Sequence, residues 1–394
     1  MNNKPPSTFG KRMQRRDYLK LSAAGGVAAI GGYGVYSTFF RESPGNGQLS
    51  DDTEIPQYDF ETREGSSLLG ITPSARDFTV LDPFETWLEK QHAIIGIFID
   101  IGQPDGEIER LTNSLFESAW NRGSVPHIFF QPFFGGPEET SDSVNQEIAE
   151  GVHDDDIRAW AEALATWLYD PDGDHRRLYV NLAPEFNGDW NPWSPALGDE
   201  DEDDFVEMWR HIHDIFSEAG MGPEFVQWIW TVDNTTRGVD RAACYPGDAY
   251  VDWCGIHGYN WAAWDGWQSA EEVYGESLDF VNSIADNPVA ITEFACSSET
   301  EDGDHDPERK ETWLTEAYEY IDDFPVRMSM YFNITKETDW AVFGGEYGKA
   351  TEEVNEQSFE VYPAYREAVT DDAVLPPYAD HPRILTDEEF AGEF

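Results

Sequence analysis

The chain has 394 residues, about twice the length of an ordinary single domain, and sets 25 Lys+Arg against 78 Asp+Glu for a net charge of −53. A field of that sign repels phosphate backbones and anionic membrane surfaces, so nucleic acid is excluded as a partner, while neutral partners are not penalised. A hydrophobic content of 40% and an aromatic content of 14% are too high for a disordered acidic chain, so this chain folds. Only seven lysines accompany the acidic excess. That balance predicts a halophilic surface, kept hydrated in concentrated salt where the screening length falls to about 3 Å at 1 M.

Gln14, Arg15, Arg16, Asp17, Tyr18, Leu19 and Lys20 form a twin-arginine pattern, and a stretch of apolar and small residues follows from Leu21 to Phe40. Residues 1–40 therefore read as an export signal for an already folded protein, which places it outside the cell or on its surface. Cleavage and retention as a membrane tether through residues 21–40 are weighed evenly, because about 20 residues can just span a bilayer. Residues 41–66, rich in Ser, Gly, Pro and acids without periodicity, read as a flexible linker.

From there on, short apolar runs alternate with longer stretches of helical period. The runs are Leu68 to Thr72, Ile94 to Ile101, His127 to Gln131, Leu178 to Leu182, Phe225 to Trp230, Val251 to Ile256, Val289 to Thr292, and Arg327 to Phe332. Helical spacing joins Ile108, Leu111, Leu115 and Ala119, and again Ile157, Trp160, Ala161, Leu164 and Leu168 after the acidic start at Asp154 to Asp156. Further helices are expected from Asp203 to Ala219, Ala270 to Ala285, and Pro307 to Ile321. Eight strands alternating with helices, without a glycine-rich phosphate loop after the first, predict an α/β fold of the (β/α)8 TIM barrel type over residues 67–370. Residues 371–394 read as an acidic tail that wraps it, and the protein is expected to be a monomer.

Cys244, Cys254 and Cys296 lack metal-ligand spacing, and a single Cys244–Cys254 bridge is the minority alternative. His211 and His213 lie two apart on a helix, where side chains do not share a face. Acidic runs at Asp170 to Asp174 and Asp199 to Asp204 lack a calcium-loop pattern and read as solvated surface. No metal or cofactor is expected.

In a barrel of this kind chemistry gathers at the C-terminal strand ends. The fourth run continues as NLAPEFNGDWNPW, which sets Glu185 past the strand with Asn187, Trp190 and Trp193 behind it. The seventh continues as PVAITEFACSS and sets Glu293 at an equivalent point. Strands four and seven are nearly opposite in a ring of eight, so the two carboxylates can face each other across the mouth. Glycoside hydrolysis needs that geometry, with one carboxyl group to protonate the leaving oxygen and one to attack the anomeric carbon.

These two blocks, together with YVDWCGIHGYNW at 250–261 and MYFNITKETDW at 330–340, resemble glycoside hydrolase family 26, whose best-known members are endo-β-1,4-mannanases. The resemblance spans roughly residues 67 to 370. It implies a retaining reaction with Glu185 as acid/base and Glu293 as nucleophile, Tyr259 touching the nucleophile, and Trp190 and Trp340 around the cleavage subsites. The family-like W-x-x-x-N spacing of Trp230 and Asn234 puts both at the mouth and leaves Trp228 to the outer packing layer. Trp261, with Trp264 and Trp267 following it, offers flat faces for sugar rings. Asn181 and Pro184 stand where the family carries Arg and His, and His257 stands where it commonly has an acid and supplies a polar contact.

The expected function is therefore hydrolysis of a β-linked neutral polysaccharide, with β-1,4-mannan ahead of β-1,3-xylan or mixed-linkage β-glucan. The alternative, motivated by Asn181 and Pro184, is a barrel that binds carbohydrate without cutting it.

Overall fold

A computed structural model of the chain describes residues 58–394 apart from 77, 105, 170–174, 198–199 and 236. The export signal, most of the linker and the acidic run at 170–174 lie outside the described residues. Eight parallel strands close a barrel: β1 (Ser67–Pro73), β2 (Ile94–Gly102), β3 (Val125–Phe134), β4 (Leu178–Leu182), β5 (Val226–Asp233), β6 (Trp253–Asn260), β7 (Val289–Cys296) and β8 (Val326–Asn333). Closure is made by β1 against β8, in register from Leu68 opposite Met328 to Pro73 opposite Asn333. All eight strands predicted from the sequence are present. Most run longer than their apolar core, because the strand ends carry the polar residues of the mouth.

Helices cover the outside, each with its apolar stripe turned to the sheet. After β1 comes α1 (Leu81–Leu88). After β2 the helical run has three pieces, α2 (Glu107–Leu111), a π turn at Thr112–Phe116, and α3 (Glu117–Asn121). Then follow α4 (Val144–Ala149), α5 (Asp154–Leu168), α6 (Glu202–Glu218), the short α7 (Ala262–Asp265), α8 (Ala270–Ile284) and α9 (Pro307–Asp322). The acidic run before α6 is more than solvated surface: Asp201 accepts from the backbone N–H groups of Asp203 and Asp204 in a capping box, and Glu200 is buried.

Beyond β8 the chain adds a three-stranded antiparallel sheet, β9 (Phe343–Gly345), β10 (Ala350–Val354) and β11 (Gln357–Val361), then α10 (Pro363–Val369). The segment after residue 370 corrects the expectation of a wrapping tail. Its strand β12 (Val374–Leu375) pairs with the start of β1, and α11 (Asp387–Ala391) closes the barrel floor. Leu375, Ile384, Leu385 and Phe390 pack against the inward residues Leu68, Ile94, Tyr179, Ile229, Trp253 and Met328. Residues 58–66, expected to be linker, rest on this floor too: Arg63 pairs with buried Glu389, and Phe60 packs on Tyr378 and His381. Above the floor the interior narrows, and a side chain at Gly70 would collide with Met330. Cys244, Cys254 and Cys296 are free and buried, so the Cys244–Cys254 bridge does not form.

Candidate active site

The turn after β4 carries Glu185 in an unusual conformation. Ala183 and Glu185 both have positive φ, 45° and 57°, a region that side-chain-bearing residues seldom occupy and that costs about 1–3 kcal/mol each. Hydrogen bonds hold the turn: Ala183 N–H donates to Phe130 O, Glu185 N–H to Thr231 O, and the Pro184 carbonyl accepts from Trp193 Nε1 at 2.9 Å and Asn191 Nδ2 at 3.3 Å. Pro184, which has no N–H to satisfy, thus serves as an acceptor post. Asn187 clasps the same turn to β5, donating to the carbonyls of Asp233 and Thr235 while its own oxygen accepts from Asp233 N–H.

Glu293 arrives differently, from inside β7. Strand alternation turns Ala290 inward and Ile291 outward, which would send Glu293 outward as well. A register shift against both neighbours puts one extra residue into β7 here, between Ile291 and Phe294. Thr292 and Glu293 consequently both face the interior, while Phe294 returns outward onto Tyr274 and Trp313. Inside, Thr292 Oγ1 accepts from Asn181 Nδ2 at 3.3 Å, and Asn181 is fully buried beneath the site.

The two carboxylates meet at β6. His257 lies directly across the sheet from Glu293, and its Nδ1 stands 2.9 Å from Glu185 Oε1 and 3.3 Å from Glu293 Oε2. Donor atoms of Glu185, His257 and Glu293 all lie within 4.8 Å of one another. So close an approach fits the carboxyl pair of a retaining arrangement, about 5 to 5.5 Å apart, and not the wider gap that admits a water between the groups. His257 Nδ1 is already engaged between two acceptors, which marks a proton-sharing cluster. Tyr259 O–H donates to Glu293 Oε2, and Trp190 Nε1–H donates to Glu185 Oε2 at 2.6 Å. Phe129, Phe98 and Phe332 form the apolar floor around the cluster. Burial drives the Glu293 carboxyl above its ordinary range; the charge of Glu185 adds to this, while His257, Tyr259 and Lys336 oppose it.

An aromatic wall runs outward from Glu293. Tyr259 packs on Trp340 at 5.1 Å, Trp340 on Trp261 at 5.4 Å, and Trp261 stacks on Trp264 at 5.7 Å. Glutamates orient the indoles: Trp261 Nε1–H donates to Glu299 and Trp340 Nε1–H to Glu337. Behind the wall, buried Lys310 donates to the carbonyls of Asp339, Trp340 and Ala341 and fixes the loop that carries Trp340.

Of the residues expected here, the structure brings together Glu185, Glu293, His257, Tyr259, Trp190, Trp340 and Trp261. Asn234 stands at the mouth end of β5, its backbone N–H donating to His257 O. Trp230 is a correction: it is fully buried outside the barrel, its Nε1–H donates to Cys244 O, and its ring packs on Phe186 and Tyr245. Trp193 and Asn187 are corrections too, both fully buried and spent on holding the Glu185 turn. Lys336, Glu299, Glu337 and Lys310 are members that sequence reasoning missed. Only Lys336 and Glu337 were hinted at, by the charged residues crowded before Trp340 in KETDW.

Residues 139–295 match the family model described as Glycosyl hydrolase family 26. Over 263 residues the chain is 29% identical to Endoglucanase H of Acetivibrio thermocellus, covering 64% of this chain and 25% of that protein, so it spans about a quarter of the length of that relative. In fold it is similar to the catalytic domain of the Bacillus sp. JAMB-750 GH26 endo-β-1,4-mannanase, with a TM-score of 0.61 at 16% identity over 82% of this chain and 90% of that one. It is likewise similar to GH26C of Muricauda sp. MAR_2010_75, with a TM-score of 0.58 at 15% identity over 82% of this chain and 90% of that one. A Cellulomonas fimi endo-β-1,4-mannanase double mutant gives 0.57 at 16% identity over 82% and 75%. Residues 139–295, which match the glycosyl hydrolase family 26 model, hold both carboxylates, and the barrel around them has the fold of the mannanase structures.

Proposed function

We propose that the protein is a retaining glycoside hydrolase that cuts a β-linked neutral polysaccharide, with β-1,4-mannan as the first substrate. The observation that carries this reading is the pair Glu185 and Glu293, whose oxygens lie within 4.8 Å of each other at the barrel mouth. Glu293 attacks the anomeric carbon while Glu185 protonates the departing oxygen. Once the glycosyl ester has neutralised Glu293, Glu185 acts as base for the water that releases the sugar. Half-buried Trp261 gives a stacking face to a sugar ring, while Trp340 and Trp190, both largely buried, shape the cleft beside the carboxylates. β-Glucan is the second reading, favoured by the 29% identity to an endoglucanase.

Release of reducing ends from mannan, mixed-linkage glucan and β-1,3-xylan at molar salt decides among them. Binding without release would leave a carbohydrate-binding barrel. A 2-fluoro sugar bearing an activated leaving group is expected to label Glu293, and a label on any other residue overturns the assignment. The same reading includes export through the twin-arginine segment, action at or outside the cell surface, a monomeric state and a halophilic habit, supported by the sequence pattern and the charge of −53. Among the described residues no helix is long and apolar enough to cross a membrane.

A further inference from the structure

We propose that His257 is a positioning residue that keeps the site's proton off Glu293: as a cation it lets both carboxylates ionise, and across its shorter contact it passes that proton to Glu185. This rests on the hydrolase reading and adds to it a third ionisable group.

The site holds an electrostatic conflict. Two carboxylates this close cannot both be ionised without a nearby cation, so the pair tends to hold one proton. The Glu293 side chain is 5% exposed and that of Glu185 14%. Burial alone would therefore settle the proton on Glu293, the group that must be an anion to attack. Lys336 beyond Glu293 is exposed and pairs with Glu337, so it is a screened counter-charge. His257, 2% exposed and touching both carboxylates, is the buried one.

The exchange is simple to balance. In the imidazolium form the Nδ1–H bond breaks and an O–H bond forms on Glu185 Oε1 across the 2.9 Å contact. The ring keeps its Nε2 proton and becomes neutral, Glu185 becomes the acid, and Glu293 remains an anion. The cluster's net charge does not change. Among the described residues Nε2 has no hydrogen-bond partner, so exchange with these groups is confined to Nδ1.

The surroundings favour this use. Burial lowers the proton affinity of His257, but Glu293, Glu185 and Asp233 at the end of β5 together raise it above the ordinary value. Its other neighbours are His127 on β3, which burial holds neutral with a pKa of about 3, the ring of Phe129, and Tyr259 on its own strand. None of these can take over the proton.

His257→Asn keeps an N–H donor but can neither hold charge nor exchange a proton. On the best substrate, its kcat is expected to fall about tenfold or more with KM within about threefold, and the acid limb of kcat/KM to move up by about one pH unit. Profiles that superimpose on the wild type's, or a loss confined to KM, overturn the proposal. Carbon-13 titration of carboxyl-labelled Glu293 tests the proton placement without any turnover, and ionisation at higher pH in His257→Asn than in wild type is expected. Titration of the His257 ring in wild type and in Glu185→Gln needs no change at His257, and a fall in its proton affinity in the variant is expected. Unchanged titrations overturn the proposal, whereas a wild type inert on every glycan would refute only the hydrolase reading.

Discussion

Tyr259 donates its hydroxyl proton to Glu293 Oε2 from two residues further along the strand that places His257 directly opposite that carboxylate. The bond stabilises the ionised form of a carboxyl group, which burial disfavours. Tyr259→Phe removes it while leaving the ring against Trp340 and Phe332. A hydrogen bond to a charged group contributes about 1.5–3 kcal/mol, so kcat/KM is expected to fall by about ten- to a hundredfold. The thermal midpoint should stay put. Steady-state kinetics beside a melting curve check both, and unaltered kinetics would remove Tyr259 from the reaction.

Glu293 also sets a pH dependence of stability. Its carboxyl is held above the ordinary 4.5 chiefly by burial, so the folded state binds that proton more tightly than the unfolded chain does. The resulting stabilisation is fully present below about pH 4.5 and is lost as pH rises through the higher folded value. His257, with its proton affinity also raised, works in the same direction. Glu293→Gln carries no charge to desolvate. It is expected to be inactive yet to melt above wild type near pH 8, about the upper end of the usual stability range, with the gap closing toward pH 4.5. A gap of equal size at both pH values would show that the carboxylate is not under this strain.

Two tryptophans separate packing from binding. Trp230 is fully buried between β5 and its covering helices, so Trp230→Ala should lose about 3–5 kcal/mol of stability. Trp261 is half-buried on the aromatic wall, and Trp261→Ala should raise KM by about tenfold, the loss of about 1.4 kcal/mol of stacking, with little change in melting. If Trp230→Ala changed KM at full stability, Trp230 would belong at the mouth after all.

Those two residues also show what the sequence could carry. The barrel was legible because eight apolar runs alternate with helical stripes, and that pattern is local. Glu185 and Glu293 stood out by lying at the ends of runs four and seven. That Glu293 points inward depends on an extra residue in β7, and no periodicity in AITEFAC announces a bulge. Trp228 and Trp230 share one strand face, and both are buried against the outer helices, so a spacing rule that parted them had no physical basis. His257 was readable as a polar residue at a strand end. Its place between two carboxylates needs three strands in register.

The barrel floor offers the last prediction. Arg177 on the loop before β4 donates to the carbonyls of Leu385 and Thr386, and buried Arg383 donates to those of His175 and Glu224; both guanidiniums converge on Asp387 Oδ1. Phe390 lies under the Arg177 guanidinium at 4.8 Å and against Tyr179. The final segment thus satisfies buried Arg177 and covers the inward ring of Leu68, Ile94, Tyr179 and Trp253. Deleting residues 376–394 would uncover that apolar ring and leave Arg177 without its carbonyl acceptors, a loss on the scale of a broken buried pair, about 3–5 kcal/mol, before any apolar exposure is added. The truncated chain is expected to bind a hydrophobic dye, to lose its cooperative melt and to be cut by protease within the strands at molar salt. If instead it melted like the full chain, the segment would be the accessory tail that its acidic composition suggests.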